Sequence, residues 1–159
     1  MKKLFLLFFV FAFTVPGFAQ DKWVWTVAEL SYYSGPVSPE YQYRWTVTIN
    51  NDRSAMFTRT GAGKDTSFSF TLGPKCFNKL NNYIKNYDLI TVNPSDMETT
   101  SQKIGGPSYT LKITIMNTNP NYDQPPQIKT FPSQQNEAWS SKMNNVYKAM
   151  ECPVSKRLR

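Results

Sequence analysis

The chain contains no histidine. That absence removes the commonest general base, the commonest metal ligand and the usual partner of a serine or cysteine nucleophile. Two cysteines remain, Cys76 and Cys152, and two thiols without histidine do not close a tetrahedral zinc shell unless carboxylates converge on them. An even pair in an exported chain reads as a disulfide, with two buried thiols as the alternative. Among the acids, Asp96 and Glu98 share one polar stretch, while Asp52 and Asp65 fall in separate turns. Glycosidase chemistry needs two carboxyl groups facing each other across a cleft, one with a raised pKa. Nothing in the spacing places these acids so, and they read as solvated. No Gly-x-Ser-x-Gly elbow and no glycine-rich phosphate loop after a strand is present. No catalytic residue, metal site or cofactor is therefore expected.

Aromatic residues make up 15% of the chain, enough to consider stacking platforms for a sugar or a peptide. Tyr32, Tyr33, Tyr41 and Tyr122 stand beside turns containing Pro or Gly and are the binding candidates, with core or edge cover as the plainer reading. An RNA-binding sheet lacks its basic-aromatic signature, so no nucleic-acid partner is expected. The formal charge of +7 is scattered. Lys156-Arg157-Leu158-Arg159 is the one dense basic group, and reads as a solvated tail rather than a polyanion site.

The start of the chain speaks to compartment. Lys2 and Lys3 precede an apolar run from Leu4 to Val15; Pro16-Gly17 breaks it, and Phe18-Ala19-Gln20 offers a small residue for cleavage. This is the secretory leader pattern. The run is shorter than the roughly twenty residues a membrane span requires. Residues 1–19 are thus expected to be removed between Ala19 and Gln20, with no stable membrane insertion afterwards. Residues 20–159, about 140 in all, then form one domain in the periplasm or outside the cell, large enough to bury a core.

Positioning elements follow from periodicity. Tyr41, Tyr43, Trp45, Val47 and Ile49 alternate with polar residues, the pattern of a half-buried antiparallel strand. Asn50-Asn51-Asp52 turns the chain into a strand over Ala55–Thr60, and Gly61-Ala62-Gly63 turns it again into Thr66–Leu72, completing a meander. Gly73-Pro74 opens a helix with Cys76, Leu80, Tyr83 and Tyr87 at helical spacing. Asp88–Val92 reads as a short strand or exit turn, and Asn93–Gly106 as a mobile surface loop. A strand over Tyr109–Ile115, a turn-rich connector, a short strand Gln127–Phe131 and a helix capped by Pro132-Ser133 and running to Met150 complete the chain. Trp23–Tyr33 reads as a first strand with apolar residues on both faces, which suggests a central or doubly covered place.

Two segments look alike. Tyr43–Ile49 parallels Tyr109–Ile115, and Lys79–Lys85 parallels Lys142–Lys148, so a duplicated strands-then-helix unit is one expectation and coincidence the other. Either way the chain reads as α+β, an antiparallel sheet of about six to seven strands with two helices on one face. That plan resembles, in architecture alone, small exported inhibitor and binding domains built from two helix-plus-sheet halves, and architecture does not give a function. The functional expectation is an exported non-enzymatic binding or interaction domain for a protein or glycan partner. It would act through an open sheet face or the loops Ser34–Glu40 and Asn93–Ser108. The alternatives are a small exported hydrolase with an unusual Ser/Lys or two-carboxylate site, and a structural envelope protein.

Overall fold

The computed structural model describes residues 22–99, 105–120 and 123–155. The expected leader with its Ala19–Gln20 junction, Tyr122 and the basic tail lie outside these residues. Six strands form one antiparallel sheet: β1 (Trp23–Tyr33), β2 (Tyr43–Asn50), β3 (Ser54–Gly61), β4 (Thr66–Thr71), β5 (Ser108–Asn117) and β6 (Gln127–Phe131). Their spatial order is β4-β3-β2-β1-β5-β6. Two helices, α1 (Pro74–Asn86) and α2 (Glu137–Glu151), cover one face. The fold is α+β, and the β2–β3–β4 meander stands as expected.

β1 is the central strand, paired with β2 on one side and β5 on the other. Its register slips between Trp25 and Val27. A bulge flips the phase of alternation, so Trp25 before it and Ala28, Leu30 and Tyr32 after it all reach the helix-covered face. This is why both faces of the segment look apolar in sequence. Cross-strand rows then build the core: Ala28 between Ile49 and Ile113, Leu30 between Val47 and Leu111, and Tyr32 between Trp45 and Tyr109. Leu80 and Ile84 of α1, and Met143, Val146 and Met150 of α2, close the core from above. Each fully buried side chain of this size contributes about 1.5–3 kcal/mol by leaving water.

The helices are antiparallel and bridged. Cys76 near the start of α1 and Cys152 just past α2 form a disulfide, with Cα atoms 6.3 Å apart. Past the other end of α1, the Tyr87 hydroxyl accepts a hydrogen bond from Asn145 in the middle of α2, at 3.1 Å.

Three local expectations need correction, and one alternative is decided. Tyr41 belongs to a 3-10 turn, Pro39–Tyr41, and β2 begins at Tyr43. Of the two readings of Asp88–Val92, the exit turn holds. The start of the supposed mobile loop is instead a 3-10 turn, Pro94–Met97, anchored by the fully buried Met97. Finally, α2 begins at Glu137 rather than after Ser133. The preceding residues are occupied otherwise: Gln135 pairs with Glu98 in a β-bridge, and its amide donates to the Pro132 carbonyl.

The duplication is not confirmed. β2 and β5 run in the same direction on opposite sides of β1, and their chains continue toward opposite edges of the sheet. The two helices nevertheless share one face. From β2 onward three strands precede α1, but from β5 onward two precede α2, and the two helices run in opposite directions although β2 and β5 run in the same one.

Candidate functional site

A cleft of about 700 Å³ opens where β1 begins, beside the C-terminal half of α1. Its apolar wall comes from the half-buried Trp23 and Ile90, with the buried Trp25 and Ile84 behind them, and its polar groups from Lys22, Asn51, Asn81, Lys85, Asp88 and Thr91. Each is positioned by local geometry. Trp25 is fixed by its indole Nε1, which donates to Asn81 Oδ1 at 2.9 Å, and by its tilted contact with Phe77, ring centres 5.8 Å apart. Asn51 is fixed through its backbone N–H, which donates to the Thr26 carbonyl at 2.9 Å.

The corner at Asp88 is the most constrained part. The N–H of Leu89 reaches back to the Ile84 carbonyl, and that of Asp88 to the Lys85 carbonyl. This is the Schellman ending of a helix, whose turning residue is usually glycine because its backbone is left-handed. Here the turning residue is Asp88, at φ +50°. Its own carbonyl accepts from the backbone N–H groups of Thr91 and Val92, both at 2.9 Å, and from the Thr91 hydroxyl at 3.2 Å. An exposed aspartate is thus held among the residues that line the cleft, at a position where glycine would be about 1 kcal/mol cheaper.

The tyrosines singled out from the sequence do not gather into one site. Tyr32 is on the helix-covered face, stacked on Trp45 with ring centres 5.3 Å apart, and tilted against Tyr43 and Tyr109. Burial raises its pKa, as does a hydrogen bond with Tyr43. Tyr109 is raised as well, by burial first and then by a hydrogen bond to the Glu151 carboxylate. Tyr147 stacks on Tyr109 at 5.0 Å and is pushed up by burial to about 12. These neutral phenols form a packed cap at the end of β1 opposite the cleft. Tyr33 points to the uncovered face, with the Arg44 guanidinium 4.9 Å from its ring centre. Tyr41 is 67% exposed in its turn.

The acids serve turns. Asp52 accepts from the Ser54 N–H and hydroxyl at 2.8 and 2.6 Å, hydrogen bonds that lower its pKa. Asp65 accepts from the Gly61 N–H at 3.1 Å. Asp96 offers its backbone carbonyl to the Asn136 amide at 3.0 Å, and Glu98 forms the bridge with Gln135. None of these four lines the cleft. Among the described residues no three His, Cys, Asp or Glu side chains group as metal ligands.

The two loops expected to bind do meet. Gly35 and Gly106 approach so closely that a methyl group on Gly35, itself at φ +90°, would lie 2.6 Å from the Gly106 carbonyl carbon. The uncovered sheet face is rich in hydroxyls. One row crosses five strands as Ser67, Thr58, Thr46, Ser31 and Thr110. Its members pair internally, Ser31 with Thr46 at 3.0 Å and Thr58 with Ser67 at 3.4 Å. Beside it, Lys112 and Glu29 form an ion pair at 3.4 Å. Much of that face's hydrogen-bonding capacity is thus spent within the protein.

Sequence reasoning missed the cleft, since its walls come from four separate stretches. The available signals were Trp23-Val24-Trp25 and an Asp just past a helix end where Gly is usual. No family model matches the chain, and no curated protein does. No helix among the described residues is long and apolar enough to cross a membrane.

Proposed function

We propose that this chain is an exported, non-enzymatic binding domain that takes a saccharide in the Trp23 cleft. The lining carries the reading: the half-buried Trp23 indole and Ile90, with the buried Trp25 and Ile84 behind them, back a mouth set with two asparagines, an aspartate, a threonine and two lysines. A sugar ring presents an apolar C–H face and a rim of hydroxyls. Tryptophan is suited to the first, and amide, carboxylate and ammonium groups to the second. The volume lies within the range of small-ligand sites, about 300–1,000 Å³. The strained Asp88 supports the reading, because a carboxylate kept in left-handed backbone is a stability cost that ligand contact would offset.

Export is supported by the leader pattern and by the Cys76–Cys152 disulfide, which belongs to oxidising compartments. The non-enzymatic part rests on the same cleft. Asp88 is the one acid among the described residues that line it, whereas glycoside hydrolysis takes two carboxyl groups about 5–9 Å apart.

The test is a tryptophan-fluorescence titration of the purified protein with maltose, cellobiose and chitobiose, alongside Trp23→Ala and Asp88→Gly. At least one sugar should give a saturable change, and each substitution should weaken it about tenfold, the loss of one good contact. Asp88→Gly should at the same time leave the fold as stable or up to about 1 kcal/mol more stable. Absence of saturation with every sugar, or binding indifferent to both substitutions, would overturn the proposal.

A further inference from the structure

The two edges of the sheet are treated very differently. β6 has five residues, carries Lys129, follows Pro125-Pro126 and stops before Pro132. The 3-10 turn Pro94–Met97 packs along it, the Lys129 ammonium donates to the Val92 carbonyl at 2.7 Å, and Glu98 bridges to Gln135 just beyond. Proline, lysine and a covering segment are the usual means of blunting an edge. β4, at the other end of the strand order, has none of them among the described residues. Its sequence, Thr66-Ser67-Phe68-Ser69-Phe70-Thr71, contains no charge and no proline, and among the described residues β3 is the one strand paired with it.

From this contrast we infer that the protein dimerises by antiparallel pairing of β4 with β4 of a second copy, about a two-fold axis at Ser69. The segment is symmetric about that residue: hydroxyls at 67, 69 and 71, phenylalanines at 68 and 70. In this register Ser69 faces Ser69 of the second copy, Ser67 faces Thr71, and Phe68 faces Phe70. Side chains keep their faces, because the side-chain period of a strand is two. The phenylalanines therefore meet on the helix-covered side, where Phe68 already packs on Phe57 and Phe70 at 5.2 and 5.7 Å. The second copy extends this aromatic row, and cross-strand aromatic pairs stabilise a sheet. A foreign strand could use the same edge. The absence of charge gives such a strand nothing complementary to recognise, whereas the internal symmetry suits the chain's own copy.

The register makes the test specific. Ser67, Ser69 and Thr71 are exposed, and their β3 neighbours Thr58, Met56 and Ser54 carry no charge. Lysine or glutamate at these positions should therefore leave the monomer folded, as a circular-dichroism melt verifies. In the dimer, S67K/S69K/T71K sets like charges opposite one another across the axis, and so does S67E/S69E/T71E. Analytical ultracentrifugation of the unsubstituted protein should show dimers with a dissociation constant below about 100 µM. Each triple variant should weaken pairing roughly tenfold or more, and mixing the two should restore dimers. A monomer at all concentrations, dimers indifferent to both triple variants, or no recovery on mixing would each overturn the inference. Should a triple variant fail to melt cooperatively, S69K and S69E alone carry the same comparison through the axial pair.

Discussion

Removing the Cys76–Cys152 bridge tests how far the helix layer depends on a covalent tie. The bond joins residues 76 positions apart. In the chain-entropy description such a crosslink lowers the entropy of the unfolded chain by about 15 cal/mol/K, or about 4.5 kcal/mol at 25 °C. A domain of about 140 residues unfolds with about 0.3 kcal/mol/K, so this stability corresponds to a fall in Tm of about 15 °C. The native side of the balance should change little. Cys76 is half-buried and Cys152 exposed, so Cys76→Ser/Cys152→Ser creates no large cavity and the core residues of both helices stay in place. Thermal unfolding followed by circular dichroism, for the unsubstituted protein with and without reductant and for the double variant, measures the shift. The two reduced forms should agree with each other and lie about 15 °C below the oxidised one. A shift under about 4 °C, or two thiols reacting in the native protein, would refute the reasoning.

Three further expectations follow from packing and titration. Leu30→Ala empties the fully buried centre of the sheet between Val47 and Leu111, and urea unfolding should register a loss of about 2–5 kcal/mol. Tyr147, held up to about 12 by burial, makes the fold sensitive to alkali. Its unfolded pKa is near 10, so between about pH 10 and 12 the unfolded chain gives up this proton first and stability falls as pH rises. This group alone accounts for a loss of about 2–3 kcal/mol in that window and none below it. Tyr147→Phe should flatten the alkaline limb of urea unfolding to that extent. Gly35→Ala, forced against the Gly106 backbone, should cost about 1–3 kcal/mol through strain at a left-handed position, and a stability equal to the unsubstituted protein would contradict the close loop contact.

Much of the frame was legible because it is local. The alternation Tyr43-Trp45-Val47-Ile49 names its own strand and face, and Gly73-Pro74 opens α1 where it was expected. β1 was harder, since the bulge at Thr26 breaks the alternation a reader follows. The start of α2 misled for a related reason. Pro132-Ser133 looks like a helix entry, but Glu98, distant in sequence, claims Gln135 for a bridge and delays the helix to Glu137. The candidate site left only two local traces in the sequence, Trp23-Val24-Trp25 and Asp88 just past a helix end, and its assembly was not legible. Trp25 and Asn81 meet across 56 positions, and Asn51 arrives from a third element. The tyrosines beside the turns drew attention by composition, yet Tyr32 proves to be packing under α2, a role that only the pairing of β1 with β2 and β5 reveals.

The most direct test of the central claim is a two-dimensional amide and indole NMR spectrum of the purified protein, recorded with and without whichever of the three sugars binds. The account predicts shifts confined to the Trp23 and Trp25 indoles and to the amides of Asn51, Asn81, Lys85, Asp88 and Thr91. Shifts at Tyr33, Arg44, Thr46 and Thr110 on the uncovered face instead, or no shifts with any of the three, would contradict it.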